Sequence, residues 1–211
     1  MSNVMERIHQ YGLVPVIKLD RVEDAVPLCQ ALEEGGLPVA EVTFRTEAAE
    51  ESMRRISKAC PNVLLGAGTV VTVEQVKRAV DAGAAFIVSP GFGRSVVEYC
   101  VKSGIAITPG AITPTEIQFL MEYGLSVAKF FPAENAGGVG MIKALAAPFP
   151  HMRFIPTGGI NADNVMNYLA FDKVIACGGS WMVKSGLIAE GKFGKIKDLV
   201  AEAVSLIAQR P

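Results

Sequence analysis

The chain has 211 residues, 50% of them hydrophobic and 19% charged, and a formal net charge of −1. That composition buries one sizeable core within a single domain spanning 1–211, and it lacks the positive field that would draw in nucleic acid. Glu6, Arg7 and His9 interrupt the N-terminal segment, and no apolar run approaches the ~18 to 20 residues of a membrane span, so the sequence predicts no signal peptide, no membrane contact and a cytoplasmic protein.

In chain order, Val4, Ile8 and Tyr11 recur at helical spacing and predict a short N-terminal helix. Eight short β-rich runs follow, at 13–19, 39–44, 64–70, 85–91, 106–110, 127–133, 154–159 and 174–180. Segments of helical period separate them, as at Ala25, Leu28, Cys29 and Leu32. Several of these segments close on glycine, at Gly35-Gly36, Gly83, Gly104 and Gly124. Successive strand starts lie about 20 to 27 residues apart, room for one crossover helix and short loops. Eight such units without a break in composition predict an α/β fold, a (β/α)8 TIM barrel capped on its floor by the N-terminal helix; a doubly wound open sheet is the alternative. Gly137-Gly138-Val139-Gly140 lacks the Lys-Ser/Thr of a P-loop and is expected to be a flexible loop. Cys29, Cys60, Cys100 and Cys177 are widely spaced and read as reduced structural thiols.

Active sites of barrels form at the C-terminal strand ends. On the second strand Val39, Glu41, Thr43 and Arg45 share one face by period-two alternation, while Ala40, Val42 and Phe44 suit the helix layer. Polar side chains pointing into a barrel are costly unless paired or used. On the sixth strand Lys129 interrupts Val127-Ala128-Lys129-Phe130-Phe131-Pro132. Burial disfavours the charged ammonium and favours a neutral amine that can attack a carbonyl. If the odd positions face the barrel on this strand too, Lys129 and Glu41 face each other across an enclosed pocket. Lys18, at the end of the first strand, is a second and weaker nucleophile candidate, or a residue meeting substrate charge at the mouth.

Strands seven and eight end in Thr157-Gly158-Gly159 and Gly178-Gly179-Ser180. Loops seven and eight are the usual phosphate cradle of a barrel, and glycines let backbone N–H groups approach an anion. Thr157, Gly158, Gly159, Gly179 and Ser180 are therefore candidate phosphate ligands. His9 and His151 have no partners at ligand spacing, so no metal site and no cofactor are expected.

The blocks Glu41-Val42-Thr43-Phe44-Arg45-Thr46-Glu47, Gly66-Ala67-Gly68-Thr69-Val70, Ser89-Pro90-Gly91, Lys129-Phe130-Phe131-Pro132-Ala133-Glu134, Pro156-Thr157-Gly158-Gly159-Ile160 and Gly178-Gly179-Ser180-Trp181 occur in order at barrel spacing. Together they resemble the 2-keto-3-deoxy-6-phosphogluconate (KDPG) aldolase family. The resemblance implies a class I aldolase of the Entner-Doudoroff pathway, a homotrimer, often also cleaving 4-hydroxy-2-oxoglutarate (KHG). It implies Lys129 as the Schiff-base lysine, Glu41 as the proton-transfer group, and Arg45 with Thr69 on the substrate carboxylate. Pro90 and Phe131 would shield the lysine, and the products would be pyruvate and glyceraldehyde 3-phosphate. The galactonate epimer of the substrate stays open, as does, more remotely, a phosphosugar isomerase or a transferase on the same barrel.

Overall fold

The computed structural model describes residues 3–210. Its elements in chain order are α1 (Asn3–Tyr11), β1 (Leu13–Ile17), a 3-10 turn (Val22–Asp24), α2 (Ala25–Glu34), β2 (Val39–Thr43), α3 (Ala49–Ala59), β3 (Leu64–Gly68) and α4 (Val73–Asp81). They continue with β4 (Phe86–Val88), α5 (Arg94–Lys102), β5 (Ala106–Thr108), α6 (Pro114–Glu122), β6 (Val127–Phe130) and α7 (Gly138–Ala146). The chain closes with β7 (Arg153–Pro156), α8 (Val165–Leu169), β8 (Cys177–Gly179), α9 (Ser185–Ala189) and α10 (Phe193–Ile207). All eight expected strands are present, each at or within its expected range but for one residue at the start of β7. Positive φ at Gly36, Gly83, Gly104 and Gly124 ends the preceding helices, a backbone state that glycine adopts without the Cβ penalty.

Six strands pair in parallel in the order β5-β4-β3-β2-β1-β8, and β6 pairs with β7. Isolated bridges join the two sets, Gly110 to Lys129 at one seam and both Phe154 to Val174 and Thr157 to Gly178 at the other, which closes the barrel. Pro15 has no N–H to give a neighbour, and the β1–β2 register accordingly starts one residue later, at Val16 opposite Glu41. The floor is covered by α1, whose Met5 and Ile8 are buried and which receives a hydrogen bond from Thr108 Oγ1 at Met5 Sδ, 3.7 Å away.

The register also explains the small residues of β3. Glu41 stands opposite Gly66, and Gly66 opposite Phe86. A Cβ at Gly66 would lie 2.2 Å from Phe86 Cζ, so glycine leaves the space that the ring fills. Gly66→Ala should therefore destabilise the fold by about 1 to 3 kcal/mol, the usual cost of overpacking, read as a lowered midpoint in urea with unchanged slope.

One expectation is corrected. Gly137 to Gly140 is not a free loop: Gly137 (φ 99°) and Gly138 (φ 60°) turn the chain directly into α7. The Gly138 N–H is held by Ala133 O at 2.9 Å, and burial of Ile142, Leu145 and Ala146 outweighs the poor helix propensity of the glycines.

Candidate active site

Lys129 and Glu41 meet inside the barrel. Lys129 Nζ lies 3.3 Å from Glu41 Oε1, and the two residues are 6% and 3% exposed. The backbone of Lys129 is held on both sides: its N–H donates to Pro109 O (2.8 Å), its carbonyl accepts from Ala111 N–H (2.9 Å), and across β7 it registers with Ile155. The nucleophile candidate thus sits on the seam that closes the barrel, mounted on rigid strands. Glu41 lies over Gly68, where a Cβ would fall 2.2 Å from Oε1, so only glycine leaves room for this carboxylate. Ile8, Val14, Phe86, Val88 and Ile155 line the narrow space around the pair. An apolar pair of similar volume would pack there at least as well, so this buried ion pair is poorly explained by stability.

Thr69 follows directly on β3 with φ 57°. A threonine held in the left-handed region costs on the order of 1 to 3 kcal/mol, and such strain collects where a side chain or amide must be aimed. Gly68 thus leaves room for Glu41, and Thr69 takes a left-handed backbone immediately beyond it.

Toward the strand ends, Val16 and Lys18 continue the face that carries Val14. They open into a cavity of about 530 Å3 that is also lined by Arg45, Gly159, Ser180 and Lys184. Three cationic side chains around an open cavity favour an anionic guest. Arg45 is not the partner of Glu41: its Nε donates to Thr43 Oγ1 (3.0 Å), whose hydroxyl in turn donates to Ile17 O (2.8 Å). Lys18 is paired with Asp20 at 2.7 Å, with its side chain 41% exposed, a setting far more solvated than that of Lys129.

The glycines of loops seven and eight divide by cause. Gly158 (φ 100°) and Gly159 (φ 79°) are required by the backbone. Gly178 and Gly179 clear neighbours, since a Cβ would come 2.3 Å from Thr157 Oγ1 at the first and 2.0 Å from the Trp181 ring at the second. Packing accounts for the missing Cβ at both positions, of which the sequence offers Gly179 as an anion ligand. Thr157 also differs in placement from the expectation: it is buried in the space that holds Lys129 and Glu41, while Gly159 and Ser180 line the outer cavity. Phe131 stands at the solvent side, 39% exposed, with Lys129 Nζ 5.4 Å from its ring centroid. Pro90 reaches the seam through its carbonyl, which a Cβ at Gly110 would meet at 2.1 Å.

Sequence reasoning did not find two braces. Arg21 grips the buried Asp24 through two hydrogen bonds, at 2.9 and 2.8 Å, and reaches Ala189 O at 3.2 Å, tying the segment after β1 to α9. Tyr168 donates its hydroxyl to Glu134 Oε1. Arg21 and Asp24 are only three residues apart, but the reach to Ala189 and the Tyr168–Glu134 pairing join elements distant in sequence and leave no periodicity signal. Among the described residues no group of three or more His, Cys, Asp or Glu could hold a metal ion. No helix among them is long and apolar enough to cross a membrane.

A parallel barrel with an amine and a carboxylate enclosed together below a cation-lined mouth defines a class: barrel enzymes equipped for covalent imine chemistry on a carbonyl substrate. The family model for KDPG and KHG aldolase matches residues 4–199. A 2-dehydro-3-deoxy-phosphogluconate aldolase of Treponema pallidum is 48% identical over 207 residues, covering 98% of this chain and 99% of the relative. The KHG/KDPG aldolase of Escherichia coli K12 is 43% identical over 192 residues, 91% of this chain and 90% of the relative. A crystal structure of KDPG aldolase from Legionella pneumophila, with pyruvate captured as a covalent carbinolamine intermediate, superposes with a TM-score of 0.92 at 38% identity, covering 95% of this chain and 98% of that one. The chain belongs to the KDPG and KHG aldolase family, and it is a carbon–carbon lyase.

Proposed function

We propose that this chain cleaves 2-keto-3-deoxy-6-phosphogluconate to pyruvate and glyceraldehyde 3-phosphate, and 4-hydroxy-2-oxoglutarate to pyruvate and glyoxylate, through a Schiff base on Lys129. The observation that carries the reading is the enclosed Lys129–Glu41 pair, 3.3 Å apart beneath a mouth lined by Lys18, Arg45 and Lys184.

The ammonium of Lys129 sheds a proton and its amine adds to the C2 ketone; a proton returned to the carbinolamine hydroxyl lets it leave as water, giving an iminium. The resulting iminium accepts the electron pair of the C3–C4 bond as that bond breaks. Glu41 takes the proton of the C4 hydroxyl, releasing the aldehyde, and returns a proton to C3 of the enamine before water frees pyruvate. Arg45 holds the substrate carboxylate by charge-assisted hydrogen bonds, helped by the Thr69 hydroxyl. Pro90 and Phe131 shield the lysine. Gly158, Gly159, Gly179 and Ser180 receive the distal phosphate. Thr157 serves the reacting end of the substrate, since its side chain lies with Lys129 and Glu41.

Ser180→Ala tests the orientation. It should weaken kcat/KM for the phosphorylated substrate by about 1.5 to 3 kcal/mol, the scale of a hydrogen bond to a charged group, and leave 4-hydroxy-2-oxoglutarate nearly unaffected. Equal losses on both substrates would reverse the assignment of this loop. Turnover of the gluconate and galactonate epimers side by side tests the choice between them; faster cleavage of the galactonate epimer would replace the proposed substrate. A place in the Entner-Doudoroff pathway, a cytoplasmic location and a homotrimer belong to the same reading, the last checked by light scattering.

A further inference from the structure

Tyr168 and Glu134 take no part in the chemistry above, yet they join its two halves. Tyr168 is 2% exposed on α8, and its hydroxyl donates to Glu134 Oε1. Burial and the adjacent carboxylate push the phenol up from its ordinary value, so it stays a donor at neutral pH. Glu134 lies just past β6, the strand of Lys129. Its N–H donates to Gly158 O at 3.1 Å, and the N–H of Ala133 donates to Thr157 O at 2.8 Å. The Glu134 side chain lies against Gly159, where a Cβ would come 2.5 Å from Cγ. An acidic side chain therefore borders the backbone that would receive a phosphate, an unfavourable neighbour unless its carboxylate is held elsewhere. On the other flank Asn164 Nδ2 donates to Gly159 O at 3.0 Å. Asn164 and Tyr168 are four residues apart at α8, one helical turn, and so lie on one side of it.

We propose that Tyr168 is a positioning residue for phosphate recognition: by holding the Glu134 carboxylate it fixes the Gly158–Gly159 turn against the lysine strand and keeps negative charge off the phosphate amides. This rests on the phosphate reading of loops seven and eight. Tyr168 touches no substrate atom, so its effect is confined to phosphorylated ligands and is relayed through Glu134.

Tyr168→Phe keeps the ring and removes only the hydroxyl. The experiment reads kcat and KM on phosphorylated substrate and on 4-hydroxy-2-oxoglutarate, with inorganic phosphate as competitor against the latter. The expected result is about a tenfold or greater rise both in KM for the phosphorylated substrate and in the inhibition constant of phosphate, with kcat and the unphosphorylated reaction unchanged. Adding Glu134→Gln to Tyr168→Phe removes the charge being restrained and should restore phosphate inhibition to within about threefold of wild type. Glu134→Gln alone, a surface change, should bind phosphate as well as wild type or better; a tenfold loss there would overturn the proposal. So would an unchanged phosphate inhibition constant in Tyr168→Phe, or a parallel loss on both substrates, which marks a merely structural role. Failure of phosphate to compete in the wild-type enzyme would instead overturn the phosphate reading itself, and this proposal with it.

Discussion

Lys129→Met should abolish cleavage, lowering kcat/KM by about 10⁴-fold or more, the scale on which enzymes lose activity when a covalent nucleophile is removed. The substitution keeps an unbranched side chain of similar length, so the barrel seam is disturbed little. Loss of the amine, not of packing, should dominate, and a thermal melt near that of wild type checks this. The companion measurement is covalent: pyruvate with borohydride should reduce the imine and leave a stable mass increment on the peptide carrying Lys129. An adduct on Lys18, or a Lys129→Met enzyme that still cleaves and still traps pyruvate, would sink the assignment. Lys18 is the fair competitor because it lies on the mouth of the same barrel. Its side chain is 41% exposed and paired with Asp20, whereas Lys129 is enclosed in the barrel.

Glu41→Gln is expected to act later in the reaction. The amide still accepts a hydrogen bond from Lys129 and still fits over Gly68, so imine formation and trapping should persist. Turnover should fall by about 10²-fold or more, as expected on losing a general acid/base. Single-turnover experiments separate the two steps: carbinolamine or imine accumulates while pyruvate release slows. A variant that unfolds, yet shows normal activity in its folded fraction, would return Glu41 to the role of a structural ion-pair partner. Gly68→Ala offers an independent approach to the same carboxylate, because the added methyl would displace Oε1 without changing any ionisable group.

The barrel was legible because its signals are local and repeated. Strands such as Val39–Thr43 and Leu64–Gly68 are short apolar runs, and glycines with positive φ close the helices between them. Alternation along the second strand was enough to place Glu41 and Thr43 on the inner face, and a lysine between Ala128 and Phe130 stood out on burial grounds alone. The glycines misled where one residue type serves several ends. Gly137 and Gly138 read as flexibility but form the entry to α7. Gly179 reads as an anion ligand and also clears the Trp181 ring, so the residue type alone does not say which end it serves.

By itself the sequence determined what depends on chain-local chemistry: the eight βα units, the inward parity of the second and sixth strands, and with it the placing of the Lys129 amine and the Glu41 carboxylate. Tertiary structure alone decided the rest. Closure through the Gly110–Lys129 and Thr157–Gly178 bridges set the 3.3 Å separation of Lys129 and Glu41, a contact between residues 88 positions apart. Closure also placed Thr157 inside with that pair and Arg45 at the mouth with Ser180, and it brought the Tyr168 hydroxyl to Glu134. Periodicity fixes which way a side chain points from its own strand. How far it stands from a residue on another strand depends on register, shear and the volumes packed between them, and those exist only once the sheet has closed.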